Sequence, residues 1–404
     1  MGRVRVMLLG GALVISWACF AFGAVAQEKT AAGRLQVYEL VRSLVVLQNH
    51  VVYGDLRAHA SQRKLLDHIA EVIKVTPPED WEDIRNVRAV ISFVLGGGDP
   101  RSVRPILDKF AQHGDTARVA EASVLYAEGK RQEAREVFEK IKPRSLETSL
   151  SGHVALVKGV LLDGADRENA IKNLDDARLL SPGTIVEEAA LRREIPIVGR
   201  AGDFKKFSYL LARYYRRFGA SVYAPGLAPE VAAVVAVKRF VKTSDQFAEL
   251  ERSIAVSRPE VARDLYLMLA QTGVAEGYTD MVRFASERAT KLAELDTVDG
   301  NRAKLYGAAV MIVSDDMDEG LSRLMSVEKS RLGRADVEVV DAAFSVATAV
   351  RQWPETPKAP PLVSEDQRAD NEALEAFAAN QTSQSVLRAR DTLAAVDSVL
   401  QEID

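Results

Sequence analysis

The chain has 404 residues, 47% hydrophobic and 27% charged, with 53 Lys and Arg against 57 Asp and Glu for a net charge of −4. That balance excludes the basic surface that tracks nucleic acid or anionic lipid. One cysteine excludes a disulfide framework and a multi-cysteine metal site, and abundant Ala, Leu, Arg and Glu favour helix over sheet.

The first element is MGRVRVMLLGGALVISWACFAFGAVAQEK. Arg3 and Arg5 precede an apolar run that ends at Ala24-Val25-Ala26, the pattern of a cleaved secretory signal over residues 1–26. A retained anchor is the rival reading, because the run is nearly long enough to span a bilayer. Ser16-Trp17-Ala18 is a poor lipidation context for Cys19. Removing the leader takes away Arg3 and Arg5 and leaves a net −6 with no cysteine. A bacterial periplasm is the expected location, with the fold held by core burial alone.

From residue 35 onward one unit restarts: an apolar, small-residue helix, a short Gly/Asp turn, then an amphipathic helix. Turns fall at Asp55, Asp99, Lys130, Asp166, Asp203, Asp245, Asp280 and Asp316, in steps of 44, 31, 36, 37, 42, 35 and 36 residues. Tetratricopeptide-type repeats have a period of about 34 residues. After the turns, Ala134, Val137, Phe138 and Ile141 line one helix face. Phe207, Leu210, Leu211, Tyr214 and Phe218 repeat the stripe, as do Phe247, Leu250 and Ile254, and then Met317, Leu321, Leu324 and Met325. Before the turns, VAAVVAV at 231–237, LYLMLA at 265–270 and YGAAVMIV at 306–313 are apolar on nearly all sides and call for cover from several neighbours. The best single repeat is ENAIKNLDDARLLSPG, with Ala170, Leu174, Ala177 and Pro182 at the packing and stop offsets.

These features predict an all-α fold, a degenerate tetratricopeptide-like helical-pair solenoid in which stacking completes the core that one pair cannot build. An irregular helical bundle is the plainer alternative. Pro77-Pro78 divides an N-terminal helical segment, 35–76, from a solenoid over 79–350. YAPGLAPE at 223–230 interrupts the stack, and the Pro-rich linker 351–363 contains WPETPKAPP, which cannot be helical. A C-terminal helical segment, 364–404, follows with Leu374, Phe377, Leu387, Leu393, Val396 and Leu400. It is expected to dock back, with an end cap or a mobile tail as alternatives.

Reaction chemistry is not legible. His50, His59 and His68 are spaced by nine residues, two and a half helical turns, so they cannot converge on one metal. His113 and His153 have no chelating neighbour in sequence. Gly96-Gly97-Gly98 lacks the Gly-Lys-Ser/Thr of a phosphate loop and suits a helix terminus before Pro100. Asp315, Asp316 and Asp318 lack the glycine and glutamate of a calcium loop. No G-x-S-x-G or H-E-x-x-H is present. The expectation is a non-enzyme with no cofactor, metal, small-molecule substrate or nucleic-acid partner. A hydrolase with an unrecognised carboxylate site is the remote alternative.

One stretch is dense in interface-type residues: FKKFSYLLARYYRRFGASVYAP, 204–225. Tyr and Arg are enriched in binding hot spots, so Tyr209, Arg213, Tyr215, Arg216, Arg217 and Tyr223 are the candidate partner-binding residues. The plainer reading has Tyr214 and Phe218 in the core stripe and the arginines in solvent.

The segments YELVRSLVVLQNHVVYGD (38–55), HASQRKLLDHI (59–69) and DIRNVRAVISFVLGGGDP (83–100) resemble the MotC-like periplasmic motility proteins of rhizobia and related α-proteobacteria. The resemblance runs through the chain and is most specific over 35–110, although its motifs carry no chemistry. It implies a periplasmic protein of the flagellar motor that binds the periplasmic region of the stator protein MotB and supports stator assembly or activation. It places no contact residues. A general periplasmic adaptor for envelope assembly is the alternative, and gene neighbourhood separates the two.

Overall fold

A computed structural model describes residues 35–294 and 296–351. Among the described residues there are helices and turns and no strands. The leader, most of the Pro-rich linker and the C-terminal segment 364–404 lie outside them.

The chain divides into two compact units, one ending at Val310 and one starting at Met311. In the first, α1 (Val37–Val52), α2 (Leu56–Val75) and α3 (Ile84–Leu95) are followed by α4 (Asp115–Ala127) and α5 (Arg131–Glu139). Then come α6 (Thr148–Leu162), α7 (Arg167–Leu180), α8 (Ile185–Ala201) and α9 (Phe204–Phe218). Next are α10 (Leu227–Ala232), α11 (Ser244–Ala255), α12 (Pro259–Ala275) and α13 (Thr279–Leu292), and α14 (Val298–Ile312) crosses the division. The helices pack as successive pairs, α1 on α2, α4 on α5, α6 on α7, α8 on α9 and α12 on α13, with α7 also on α8 and α3 on α4 and α6. The all-α, helical-pair solenoid expected from the repeat spacing is the fold observed.

The Gly/Asp turns have a defined role. The Asp55 carboxylate accepts from the backbone N–H of Arg57 and Ala58 at 2.9 and 3.0 Å. Asp99, Asp166 and Asp203 accept from Arg101, Asn169 and Lys206 at 3.0, 3.1 and 2.9 Å. Each satisfies donors that the helix ladder leaves open at an N-terminus. Gly96-Gly97-Gly98 is the helix terminus that the sequence suggested: the Gly98 N–H donates to the Phe93 carbonyl at 2.9 Å.

Apolar helices sit inside. In α6, Leu150, Val154, Ala155, Val157 and Leu161 are buried, and Gly159 lets α7 approach so closely that a Cβ there would stand 2.6 Å from Leu174 Cγ. Trp81 and Phe110 meet at 5.5 Å between ring centroids in a buried apolar cluster that also holds Phe93 and Phe138. His113 is structural, with Nε2 2.8 Å from the Trp81 carbonyl oxygen.

Two expectations need amendment. VAAVVAV is not one regular helix: α10 passes at Ala233 into a π-helical turn, Ala233–Val237, which leaves Val237 half exposed while Val234, Val235 and Ala236 are buried. In the second unit, α15 (Met317–Met325) packs on α16 (Arg334–Arg351). Its stripe buries Leu324 but leaves Met325 73% exposed. With Leu324 buried and Met325 exposed, its apolar face is narrower than a helix inside a stack requires.

Candidate functional site

The Tyr/Arg stretch forms α9, which begins at its Asp203 cap and presents two different faces. Phe207, Leu210, Leu211, Tyr214, Tyr215 and Phe218 are buried. Tyr215 is only 4% exposed, so this candidate lies inside the stack rather than on its surface. Its phenol packs edge-on to Tyr214 at 5.7 Å, and burial pushes its pKa up. Tyr209 is 56% exposed and Arg216 is exposed. Those two lie seven residues apart, on one outward face.

Arg213 and Arg217 point the other way, toward an element that the sequence reading passed over. Helix α8 carries three glutamates, Glu187, Glu188 and Glu194, all fully buried. Arg213 Nη2 and Nε lie 2.7 and 3.2 Å from Glu187 Oε1, and Arg217 Nη1 is 3.5 Å from Oε2. The Gly183 N–H donates to the same carboxylate at 2.6 Å. Glu188 accepts from Arg192 Nε at 3.0 Å and from the Tyr214 hydroxyl at 2.8 Å. Glu194 stands 2.8 Å from Lys206 Nζ and 3.3 Å from Arg178 Nε. Lys206 also reaches Asp175 at 2.7 Å, where Arg178 is a further partner. Tyr223 is half-buried beside Arg192, whose guanidinium is 5.5 Å from the ring centroid, and its hydroxyl is 3.4 Å from Gln62 Oε1.

Burial and environment divide these carboxylates. Desolvation, reinforced by the Asp175 charge, raises Glu194 to about 7 against the pull of Lys206 and Arg178. Burial also opposes the charge of Asp175, but hydrogen bonds from Lys206 and Arg178 outweigh it and hold its pKa below the ordinary value. Each buried charge is paired, as burial demands. The sequence did hold a signal. Glu187 and Glu194 interrupt an otherwise apolar stripe at a seven-residue interval, and Lys206 and Arg213 repeat that interval on the next helix.

The N-terminal pair is clipped onto this region. Ile185 N–H donates to Asn49 Oδ1 at 3.0 Å, and the Tyr53 hydroxyl donates to the Gly183 carbonyl at 3.1 Å. Tyr53 and Phe218 rings lie 5.9 Å apart. A groove of about 550 Å³ opens beside the clip, lined by residues of α1, α3, the start of α6 and the α7–α8 turn. His50, His59 and His68 are all exposed. Among the described residues no group of three His, Cys, Asp or Glu is arranged to hold a metal ion, and no helix is long and apolar enough to cross a membrane.

Comparison with known sequences decides the family: the profile described as "Chemotaxis protein MotC" matches residues 2–404. The chain belongs to the MotC family. Within the family, the Chemotaxis protein MotC of Rhizobium meliloti (strain 1021) is 30% identical over 347 residues, 85% of this chain and 79% of that protein. Family membership assigns the chain to bacterial chemotaxis and motility. Among solved structures, yeast Tom70 aligns with a TM-score of 0.34 at 13% identity, over 77% of this chain. The chain spans 65% of Tom70's length.

Proposed function

We propose that the chain is a non-enzymatic periplasmic scaffold required for flagellar rotation, binding the periplasmic part of the stator protein MotB and supporting stator assembly or activation. The observation that carries this reading is the family match along residues 2–404. The arginine-flanked leader ending Ala24-Val25-Ala26 supports export. Stacked helix pairs offer a broad, stiff surface of the kind that repeat proteins use to hold a polypeptide. The buried carboxylates on α8 are each held by cations of neighbouring residues, an arrangement that suits a rigid support.

Two measurements test it together. A strain lacking the gene should be non-swimming on soft agar although it assembles filaments, and the purified mature protein should bind the purified periplasmic fragment of MotB. A deletion strain that swims normally, or a folded protein with no affinity for the fragment, overturns the reading.

A further inference from the structure

The groove beside the N-terminal clip has an uneven charge. Its wall includes Arg42 of α1, Arg85 and Arg88 of α3, and one carboxylate, Glu147. Arg85 is already neutralised: its Nη2 is 2.6 Å from Asp83 Oδ2, and its guanidinium lies 4.4 Å from the centroid of the Tyr38 ring. Glu147 caps α6, accepting from the Ser149 N–H at 2.9 Å and from the Ser149 hydroxyl, and these bonds, helped by the charge of Arg88 at longer range, hold its carboxyl below the ordinary value. Burial holds the His153 pKa below its ordinary value.

Arg42 and Arg88 differ from these. Neither forms a hydrogen bond or ion pair among the described residues, and Arg88 Nε is buried with no hydrogen-bond partner. Nearly every other half-buried cation near this region has a carboxylate within reach, as Arg178, Arg192, Lys206 and Arg213 do. A buried donor left unpaired is destabilising, and a ligand oxygen relieves that on binding. The same wall includes aliphatic side chains: half-buried Val45 and Ile185, and the more deeply set Val41, Ala89 and Val186. A volume near 550 Å³ falls within the roughly 300–1,000 Å³ of sites that enclose a small ligand. It therefore admits a few side chains of a peptide and not a folded face.

We propose that this groove is the docking site for a segment of the partner protein that carries a carboxylate between aliphatic side chains. Arg88 takes the carboxylate, Arg42 at the exposed rim attracts it, and the valine and isoleucine floor takes its neighbours. The proposal rests on the scaffold reading above and adds to it the face and the chemistry of recognition.

The test uses the full mature chain, with the purified periplasmic fragment of MotB as probe, in fluorescence anisotropy at low and high salt. Arg88→Glu is expected to weaken binding by at least about thirtyfold, since it replaces a charge-assisted contact with repulsion. Arg42→Glu, on an exposed side chain that folding does not need, is expected to weaken it about fivefold, with the loss shrinking in high salt. Arg252→Glu, at an exposed side chain on α11 away from the groove wall, is the control and should leave binding unchanged. If the wild-type chain binds and both groove variants bind equally well, or Arg42→Glu does no more than Arg252→Glu, the groove assignment is overturned while the scaffold reading stands. No binding by the wild-type chain instead overturns the scaffold reading. A photo-crosslinking residue at Val45 should attach to the fragment. Attachment to residues 353–404 of the chain itself would give the groove to its own C-terminal segment and overturn the proposal.

Discussion

Arg213 on α9 closes on Glu187 of α8 at 2.7 Å, and seven residues earlier on α9 Lys206 meets Glu194, seven residues later on α8, at 2.8 Å. Equal intervals running in opposite directions mean that the two helices lie antiparallel in a single register. A slip of one turn would leave fully buried carboxylates facing no cation.

Glu187→Ala strands Arg213 half-buried without its partner and is expected to lower stability by about 3–5 kcal/mol. The double replacement Glu187→Leu with Arg213→Met should recover much of that loss, because a packed apolar pair needs no desolvation. Urea unfolding followed by circular dichroism measures both. Equal losses in the single and double variants would show that the pair does not act as a unit.

Glu194 makes stability depend on pH. Its folded-state pKa of about 7 lies above the ordinary 4.5, so the fold favours the proton. Below pH 4.5 both states hold it and nothing is lost. Between 4.5 and 7 the unfolded chain releases its proton more readily and stability falls, and above 7 the whole penalty is present, on the order of 3 kcal/mol. Glu194→Gln cannot ionise, so its stability relative to wild type should climb across that window. Urea midpoints of both proteins at about pH 5 and about pH 8 read the effect, and a constant difference would refute it.

Close helix approach is set by glycine. At Gly159 a Cβ would come within 2.6 Å of Leu174 Cγ and 3.1 Å of the Ala170 carbonyl oxygen. Gly159→Ala should therefore part α6 from α7 and destabilise by about 1–3 kcal/mol. Gly54 has φ of +95° and its Cβ position is 2.7 Å from the Ala220 carbonyl oxygen, so Gly54→Val should lose at least as much. Thermal melts rank the two, and a wild-type melting temperature for either would contradict the packing described.

Tyr209 and Arg216 face solvent, and their replacement by alanine should alter stability by less than about 0.5 kcal/mol. Any loss of binding to the MotB fragment in these variants would then report contact rather than misfolding. Tyr215→Ala is expected to do the opposite, lowering stability by about 3–5 kcal/mol as a buried ring is lost.

Much of this fold was legible because turn chemistry and helix periodicity are local. Asp55, Asp99, Asp166 and Asp203 mark helix starts whatever lies around them, and Phe138, Leu174 and Leu210 follow the 3.6-residue stripe. The candidate surface was less legible, because a tyrosine or arginine has the same local signature inside a paired network as outside it. Composition marks Tyr215 and Arg213 alike, and only the position of α8 shows that one is core and the other faces Glu187. The unpaired Arg42 and Arg88 are invisible in sequence for a related reason: lacking a partner is a property of three-dimensional neighbours. The π-helical turn after Ala232 carried no breaker residue, so it left no mark in the apolar run that contains it.

The contacts from Asn49 to Ile185 and from Tyr53 to Gly183 span 136 and 130 residues. In a strictly linear array each repeat touches only its neighbours, and melting spreads from the ends. Here the first helix pair holds the fourth, so the stretch from Val37 to Phe218 behaves as a closed loop. Its slow-exchanging amides should therefore open in one concerted event rather than in sequence.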